Sequence, residues 1–435
     1  MKKYSIVPAM VLTAILIAGC LKDTHIIKYT ANVPAYMSYD QVQAISSVSP
    51  RTISKAGKIY IANNYLFINE INKGIHVIDN SNPSSPVVVS FLNIPGNVDI
   101  SVKDNILYAD NFVDLTAIDI STISSPVVVK RIPKQFPYSI PEYDLNYPVS
   151  ELDTLKGMVL SWEVKEITKK CKTKDDCPEF VNTRGIEVDQ SFQVYNFSST
   201  NNSSGSGQTM KVKRNVGIGG SLGRFTIYNN NLYVASKSSL LVYDITNPAD
   251  PVYLTNVAVN TWNNDIESLF IFDDKLFIGS PVGVYIYSLS NPSSPSYLSQ
   301  FTHVRRCDPV VVYGNYAYST QRGNTGCGGS VSELSVIGIS NIYSPVLSNS
   351  YSMDDPYGLG LDNGMLFVCD GKSGLKIYDI KNTPDLSLKY HYSSLNAFDV
   401  IPYNNVLIMI GSTGVFQYDY SDMQNLVQLS YIPIN

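Results

Sequence analysis

The phrase "GIHVIDNSNPSSPVVVSF", residues 74–91, comes back along the chain as "LTAIDISTISSPVVVK" at 115, "LLVYDITNPADPVYL" at 240 and "VYIYSLSNPSSPSYL" at 284. Aligned on the residue that closes the apolar run, the copies put Asp79, Asp119, Asp244, Ser288, Gly338, Asp379 and Asp419 in one slot, at spacings of 40, 125, 44, 50, 41 and 40. A period of about 40 residues with one large and one small insertion constrains the fold more than any other feature of the chain. Twelve or thirteen residues before most anchors stands a second apolar run: "LFINE" at 66, "LYADN" at 107, "LYVAS" at 232, "LFIGS" at 276, "LFVCD" at 366 and "LIMIG" at 407. Upstream again, stretches such as "VDISV" and "SLFIF" end in tight-turn signals, among them "KDN", "YNNN", "FDDK" and "LDNG".

Each period therefore predicts four short antiparallel strands, a to d, with the recurring phrase as strand c. The Asn-Pro after strand c holds the chain extended, and a second Pro precedes strand d, where a missing N–H is tolerable at a sheet edge. A single four-stranded sheet cannot bury both of its faces, so the copies must stack on one another. Seven such units predict an all-β, seven-bladed β-propeller of four-stranded antiparallel blades. An open solenoid or a pair of sandwiches is the structural alternative. Composition agrees with an all-β chain: 31 Tyr against 2 Trp, with Asn, Ser, Gly and Pro crowded between short apolar runs.

The stretches around "LLVYDITNP" resemble the LVIVD-repeat propellers. Longer segments, "GKIYIANNYLFINEINKGIHVIDNSNP", "GNVDISVKDNILYAD", "GGSLGRFTI", "CDPVVVYGNYAYST" and "DDPYGLGLDNGMLFVCDG", are similar to the LVIVD-repeat outer-membrane lipoproteins of Bacteroidetes. The likeness covers essentially the whole chain after its leader. It implies the propeller and a lipid anchor, and no activity, because that family has none established.

The first twenty residues, "MKKYSIVPAMVLTAILIAGC", pair two lysines with an apolar stretch too short to span a bilayer, followed by small residues and a cysteine. They read as a signal peptide (1–20), and Ile17-Ala18-Gly19-Cys20 resembles a lipobox, with lipidation expected on Cys20. Ordinary secretion with an incidental cysteine is the plain alternative. Residues 21–50 read as a tether with one short helix, because Ser38 and Gln41 stand at capping-box spacing. The propeller is expected over 51–435, with an insertion at about 133–221. A formal charge of -5 without a basic patch excludes nucleic acid as a natural partner. The expected partners are the membrane, through the anchor, and an envelope protein, peptide or glycan, on the periplasmic side or the cell surface of the outer membrane. No cofactor is expected.

In a propeller the d-to-a and b-to-c loops share one face and the a-to-b and c-to-d loops the other. The second face holds the monotonous "KDN" and "NPSSP" turns. The first is expected to collect what is irregular: the large insertion, between strand d of copy 2 and strand a of copy 3, and "QRGNTGCGGSVSE", the b-to-c loop of copy 5. Cys307 and Cys327 are expected to meet there as a disulfide closing about twenty residues, worth on the order of 3 kcal/mol in an exported chain. Cys171 and Cys177 are expected to form a second, local bridge. Free thiols are the alternative for all four. Cys369, inside "LFVC", reads as a buried small hydrophobe. The spacings match no zinc pattern, and none of the four histidines stands near a cysteine in a ligand-like arrangement.

Counting back from strand b lands on Lys58, Asp99, Arg224, Ser268, Asp308, Gly358 and Asp399, one per copy, at the start of strand a beside the channel. The bland reading is a structural belt of paired charges around a wet channel. The functional reading adds the loop residues Trp262, Asp265, Arg305, Arg306, Asp354, Asp355 and Tyr357, which with Arg224 and Asp308 would form a polar, partly aromatic mouth for a ligand. No Ser elbow, His-Glu metal motif or phosphate loop is present. A membrane-anchored, noncatalytic propeller that presents one face for binding is therefore expected. The alternative is a hydrolase or lyase acting on a glycan through carboxylates at Asp99, Asp308, Asp355 and Asp399.

Overall fold

The computed structural model describes residues 25–138, 140–141, 143–150, 152–171, 216–260, 266–302, 309–323 and 331–435. The chain forms two compact units, one from residues 1–41 with 139–201 and the other from 42–138 with 202–435. The larger unit is a seven-bladed β-propeller. Its blades span residues 56–93, 100–132, 225–258, 268–302, 310–352, 359–392 and 397–433, each four antiparallel strands in sequence order.

The recurring phrase is strand c, and its anchor is the last residue of that strand in every blade. The reason is local. The anchor side chain accepts a hydrogen bond from the N–H two residues on, as Asp79 does from Ser81 (2.9 Å), Asp119 from Ser121 (2.8 Å) and Asp244 from Thr246 (2.7 Å). That Asx turn ends the strand and starts the c-to-d loop. Ser288 does the same with its hydroxyl, accepting from Ser290 at 3.2 Å. In all seven blades the pairing of c with d slips by one residue just before the anchor. A bulge there twists the exposed edge strand and blunts it against pairing with another chain.

Strand b is buried along nearly its whole length in every blade, which is why it reads as a continuous apolar run instead of alternating. The core is correspondingly divided into seven clusters, one at each seam between blades. Tyr60, Phe67, Ile75 and Val77 of blade 1 pack on Ile100, Leu107 and Ile118 of blade 2, and so on round the ring. Tyrosine hydroxyls pin several seams: Tyr108 donates to the Pro248 carbonyl (2.8 Å), Tyr233 to the Pro292 carbonyl (2.7 Å), and the Tyr60 hydroxyl accepts from the Val102 N–H (3.0 Å). Each proline in the first two is that of the next blade's c-to-d turn.

Every blade is one contiguous stretch of chain, so no strand is shared between the two ends of the ring. Blade 7 meets blade 1 through Ile401, Ile408 and Ile410 packed on Ile59, Ile61 and Ile68. Ile53 and Ile434 form a parallel bridge, and the Asn435 N–H donates to the Ile53 carbonyl at 2.8 Å. Blade 1 is extended on both edges, to six strands, by Ser46–Val48 outside strand d and Ile218–Gly219 inside strand a.

The smaller unit corrects one expectation. Residues 21–50 are not only a tether: His25–Met37 is a thirteen-residue strand, paired antiparallel with Met158–Cys171 of the insertion. Within this unit Trp162 donates to the Pro141 carbonyl (2.8 Å) and packs edge-on against Tyr143. The expected helix is the single turn Tyr39–Gln43, and its cap is reciprocal: the Ser38 N–H donates to Gln41 Oε1 (3.0 Å) and the Gln41 N–H to Ser38 Oγ (3.3 Å).

Candidate functional site at the channel and its mouth

The channel is occupied. Residues 216–224, "VGIGGSLGR", run antiparallel to strand a of blade 1 and climb from the face of the a-to-b turns to the opposite face. Val216 bridges Lys103, the last residue of strand a in blade 2, and the Gly217 N–H donates to the Val102 carbonyl (3.0 Å). Ile218 and Gly219 pair with Ile61 and Tyr60. The Gly220 N–H reaches the Ile59 carbonyl (3.1 Å), the Leu269 N–H of blade 4 reaches the Gly223 carbonyl (2.8 Å), and the Leu359 N–H of blade 6 donates to Ser221 Oγ (2.7 Å). Five blades therefore touch one short segment, counting Asp399 of blade 7.

The glycines follow from that crowding. A Cβ on Gly217 would lie 2.2 Å from the Tyr60 ring, and one on Gly220 would lie 1.9 Å from Asp399 Oδ2. One expectation changes: residues 216–221, the last of the large insertion, lie in the channel and run up it from the face of the a-to-b turns. The belt of charges lines a channel through which the insertion's own last residues run, and Ile218 of that segment remains 44% exposed.

Within the belt the seven predicted positions divide. Lys58, Asp99 and Arg224 come together: Asp99 is 3% exposed, and its Oδ2 accepts from Lys58 Nζ (2.6 Å) and from the Arg224 backbone N–H, while Oδ1 accepts from Ile100 N (2.8 Å). Burial lowers the Lys58 pKa and the Asp99 charge opposes it. Beside them Asp110 accepts from the Val98 and Asp99 N–H groups (2.8 and 3.0 Å), yet burial pushes its carboxyl up to about 6.

Asp399 stands apart. Its Oδ1 accepts from Val400 N (3.0 Å) and Ser221 Oγ (3.4 Å), and its Oδ2 is buried with no hydrogen-bond partner among the described residues. Gly358 is there to admit it, since a Cβ on Gly358 would lie 2.1 Å from Asp399 Oδ1. Burial raises this carboxyl to about 7 against the bonds from Val400 and Ser221. Ser268 is fully buried at the start of strand a in blade 4. Asp308 lies outside the described residues.

The mouth assembles at blades 5 and 6. Fully buried Asp370 accepts from the Asp354 and Asp355 N–H groups (3.1 and 2.8 Å) and from Lys376 Nζ (2.6 Å), which fixes the d-to-a loop that carries Tyr357. Ser373 Oγ holds the Asp354 carboxylate. Arg322 places its guanidinium 4.1 Å from the centre of the Tyr357 ring and its Nε 4.0 Å from Asp355 Oδ1. Asp354, Asp355 and Tyr357 thus share one loop, whereas Arg224 lies at blades 2 and 3, its backbone N–H on Asp99.

Sequence reasoning missed Arg322, Asp370 and Lys376. Arg322 is the second residue of the quoted blade-5 insertion, and its position in a b-to-c loop was the available signal. Trp262, Asp265, Arg305, Arg306, Cys20, Cys177, Cys307 and Cys327 lie outside the described residues. Cys171 ends the ribbon, buried at 5% exposure, and Cys369 is a fully buried free thiol, its pKa raised by that burial. Among the described residues no group of His, Cys, Asp and Glu is arranged to hold a metal ion, and no helix is long and apolar enough to cross a membrane.

Fold and site together define a β-propeller with a glycine-rich segment in its channel and a rim built at blades 5 and 6. The LVIVD repeat model matches residues 54–93, 96–132 and 219–259, which are blades 1, 2 and 3 with their flanking turns. A search of curated proteins finds no match. Among solved structures, a protein from Lactobacillus plantarum is similar at 10% identity with a TM-score of 0.51, over 87% of this chain and 97% of that one. The computationally designed Ika8 protein is similar at 10% identity (TM-score 0.47, 86% of each chain), and Sqt1 of Saccharomyces cerevisiae at 6% (TM-score 0.49, 90% and 88%). The Lactobacillus likeness speaks to the fold alone.

Proposed function

We propose that this protein is a lipid-anchored, noncatalytic propeller of the cell envelope, lipidated on Cys20, which offers the rim around Arg322, Asp355 and Tyr357 to a glycan or peptide. The observation that carries the binding half is the division of labour among the acidic residues. Asp99 and Asp399 are spent inside the ring, against Lys58, Arg224 and Ser221, and are 3% and 2% exposed. A glycosidase needs two carboxylates flanking a substrate cleft, and neither of these faces one. At the rim, by contrast, a planar guanidinium stacked on a tyrosine ring beside a half-exposed carboxylate offers hydrogen-bond forks and flat apolar surface to one ligand.

The envelope half rests on the leader sequence and the resemblance to lipoproteins. A bridge between Cys171 and Cys177 belongs to the same reading, supported by a Cys171 that is buried. The test is retention of the purified chain on arrays of envelope glycans and peptides, beside an Arg322→Ala/Tyr357→Ala variant. At least one class should be retained and lost about tenfold or more in the variant, with the melting temperature nearly unchanged. Retention that ignores the variant, or release of cleaved glycan, would count against the proposal.

A further inference from the structure

We infer that the Ile26 end of the β-ribbon in the smaller unit docks on an anionic lipid surface. A two-stranded ribbon is marginal in water by itself, and the backbone bonds that brace this one from outside are at Asn32, with Pro148 and Ser150, away from the Ile26 end. At this end an apolar residue of one strand stands opposite a lysine of the other on both faces: Ile26 opposite Lys170, and Ile27 opposite Lys169. Ile26 is 58% exposed. Lys28, on the same face as Ile26, is two-thirds exposed.

The ribbon's two glutamates lie further along and are taken: Glu166 is 3.6 Å from Lys28, and Glu163 pairs with Lys165. Among the described residues neither Lys169 nor Lys170 forms an ion pair with a carboxylate. Isoleucines ringed by long, cationic side chains suit the headgroup boundary, where methyl groups enter the acyl region and ammonium groups stay with phosphates.

Chain connectivity points the same way. Four residues separate His25 from Cys20, and fully extended the five steps between them reach at most about 18 Å. An acylated Cys20 would therefore hold this end of the ribbon at the bilayer, where a weak surface contact acts at high effective concentration. In this respect the inference rests on the anchor proposed above, while the ribbon's own chemistry does not depend on it.

The test uses the chain from residue 21 onward, which carries every described element and no acyl group. It is sedimented with vesicles of phosphatidylglycerol and phosphatidylethanolamine, or of phosphatidylcholine alone. Retention on the anionic vesicles at low salt and release at high salt are expected. Lys28→Glu/Lys169→Glu/Lys170→Glu should lower retention about tenfold or more, Ile26→Ser should lower it less, and reversal of Lys55 and Lys237 on the propeller should leave it unchanged. Equal retention on neutral vesicles, or retention unmoved by the triple reversal, overturns the inference. So does a concentration-dependent dimer that the same reversal dissolves without any vesicle binding, since the ribbon would then pair with a second copy. The mass of the N-terminal peptide from the full chain in its own cells reads acylation separately, so an unmodified Cys20 would remove the anchor and leave the vesicle result standing.

Discussion

Asn80 and Gln417, 337 positions apart, clasp each other's amides: Asn80 Nδ2 donates to Gln417 Oε1 at 2.9 Å, and Gln417 Nε2 donates to Asn80 Oδ1 at 2.7 Å. Both are buried, one just past strand c of blade 1 and the other in strand c of blade 7. They lock a ring whose ends share no strand. Gln417→Leu should leave the Asn80 amide buried and unpaired, at a cost of about 1–3 kcal/mol in urea unfolding. Adding Asn80→Leu should recover part of that loss, because the buried Asn80 amide would no longer be there to lack a partner.

The tyrosine pins should behave as separate bonds. Tyr108→Phe and Tyr233→Phe each remove a hydroxyl that reaches a proline carbonyl of the next blade. Each should cost about 1 kcal/mol. The two lie at different seams, so the double variant should lose close to the sum in denaturant unfolding.

Gly358 exists to admit Asp399. Gly358→Ala sets a Cβ against the Asp399 carboxylate at 2.1 Å and should destabilise the protein by about 1–3 kcal/mol. In an Asp399→Ala background the same substitution should cost less, by on the order of 1 kcal/mol. Equal costs in both backgrounds, read from thermal unfolding, would mean that the two residues do not compete for space.

Asp399 should also set a pH dependence. Its carboxyl is raised by burial to about 7 from 3.8, and that of Asp110 to about 6. A raised acid holds its proton more tightly when folded, so its contribution is full below pH 4 and is lost as pH rises through the folded value. Glu70 has the opposite sign: burial raises it, but hydrogen bonds from Lys73, Ser54 and His76 prevail and hold it at about 2, so its contribution is lost as pH falls below 4.5. Buried, neutral His76, its pKa lowered chiefly by burial, loses stability as pH falls below 6.5. Asp399→Asn removes one of the two rising groups. Relative to the natural protein the variant should gain on the order of 2 kcal/mol between pH 5 and pH 8. Urea midpoints at the two pH values read it, and a constant gap would show that Asp399 does not titrate in that window.

By itself the sequence determined the ring. The spacing of the strand-c anchors reports a local event, a side-chain turn at Asp or Ser, and a local event leaves a local trace in every copy but blade 5, where Gly338 has no side chain. Strand order and blade number follow from counting along that trace. The helix cap at Ser38 and Gln41 was legible for the same reason.

Only the tertiary structure decided what runs through the channel. "GIGGSLGR" meets Tyr60, Leu359 and Asp399 from three blades, and no spacing rule links those positions to a glycine run. The pairing of His25–Met37 with Met158–Cys171 was hidden likewise, because more than a hundred residues separate partners that carry no turn between them. Contacts between distant segments depend on which surfaces the closed ring leaves available, and that is settled only once all seven seams have formed.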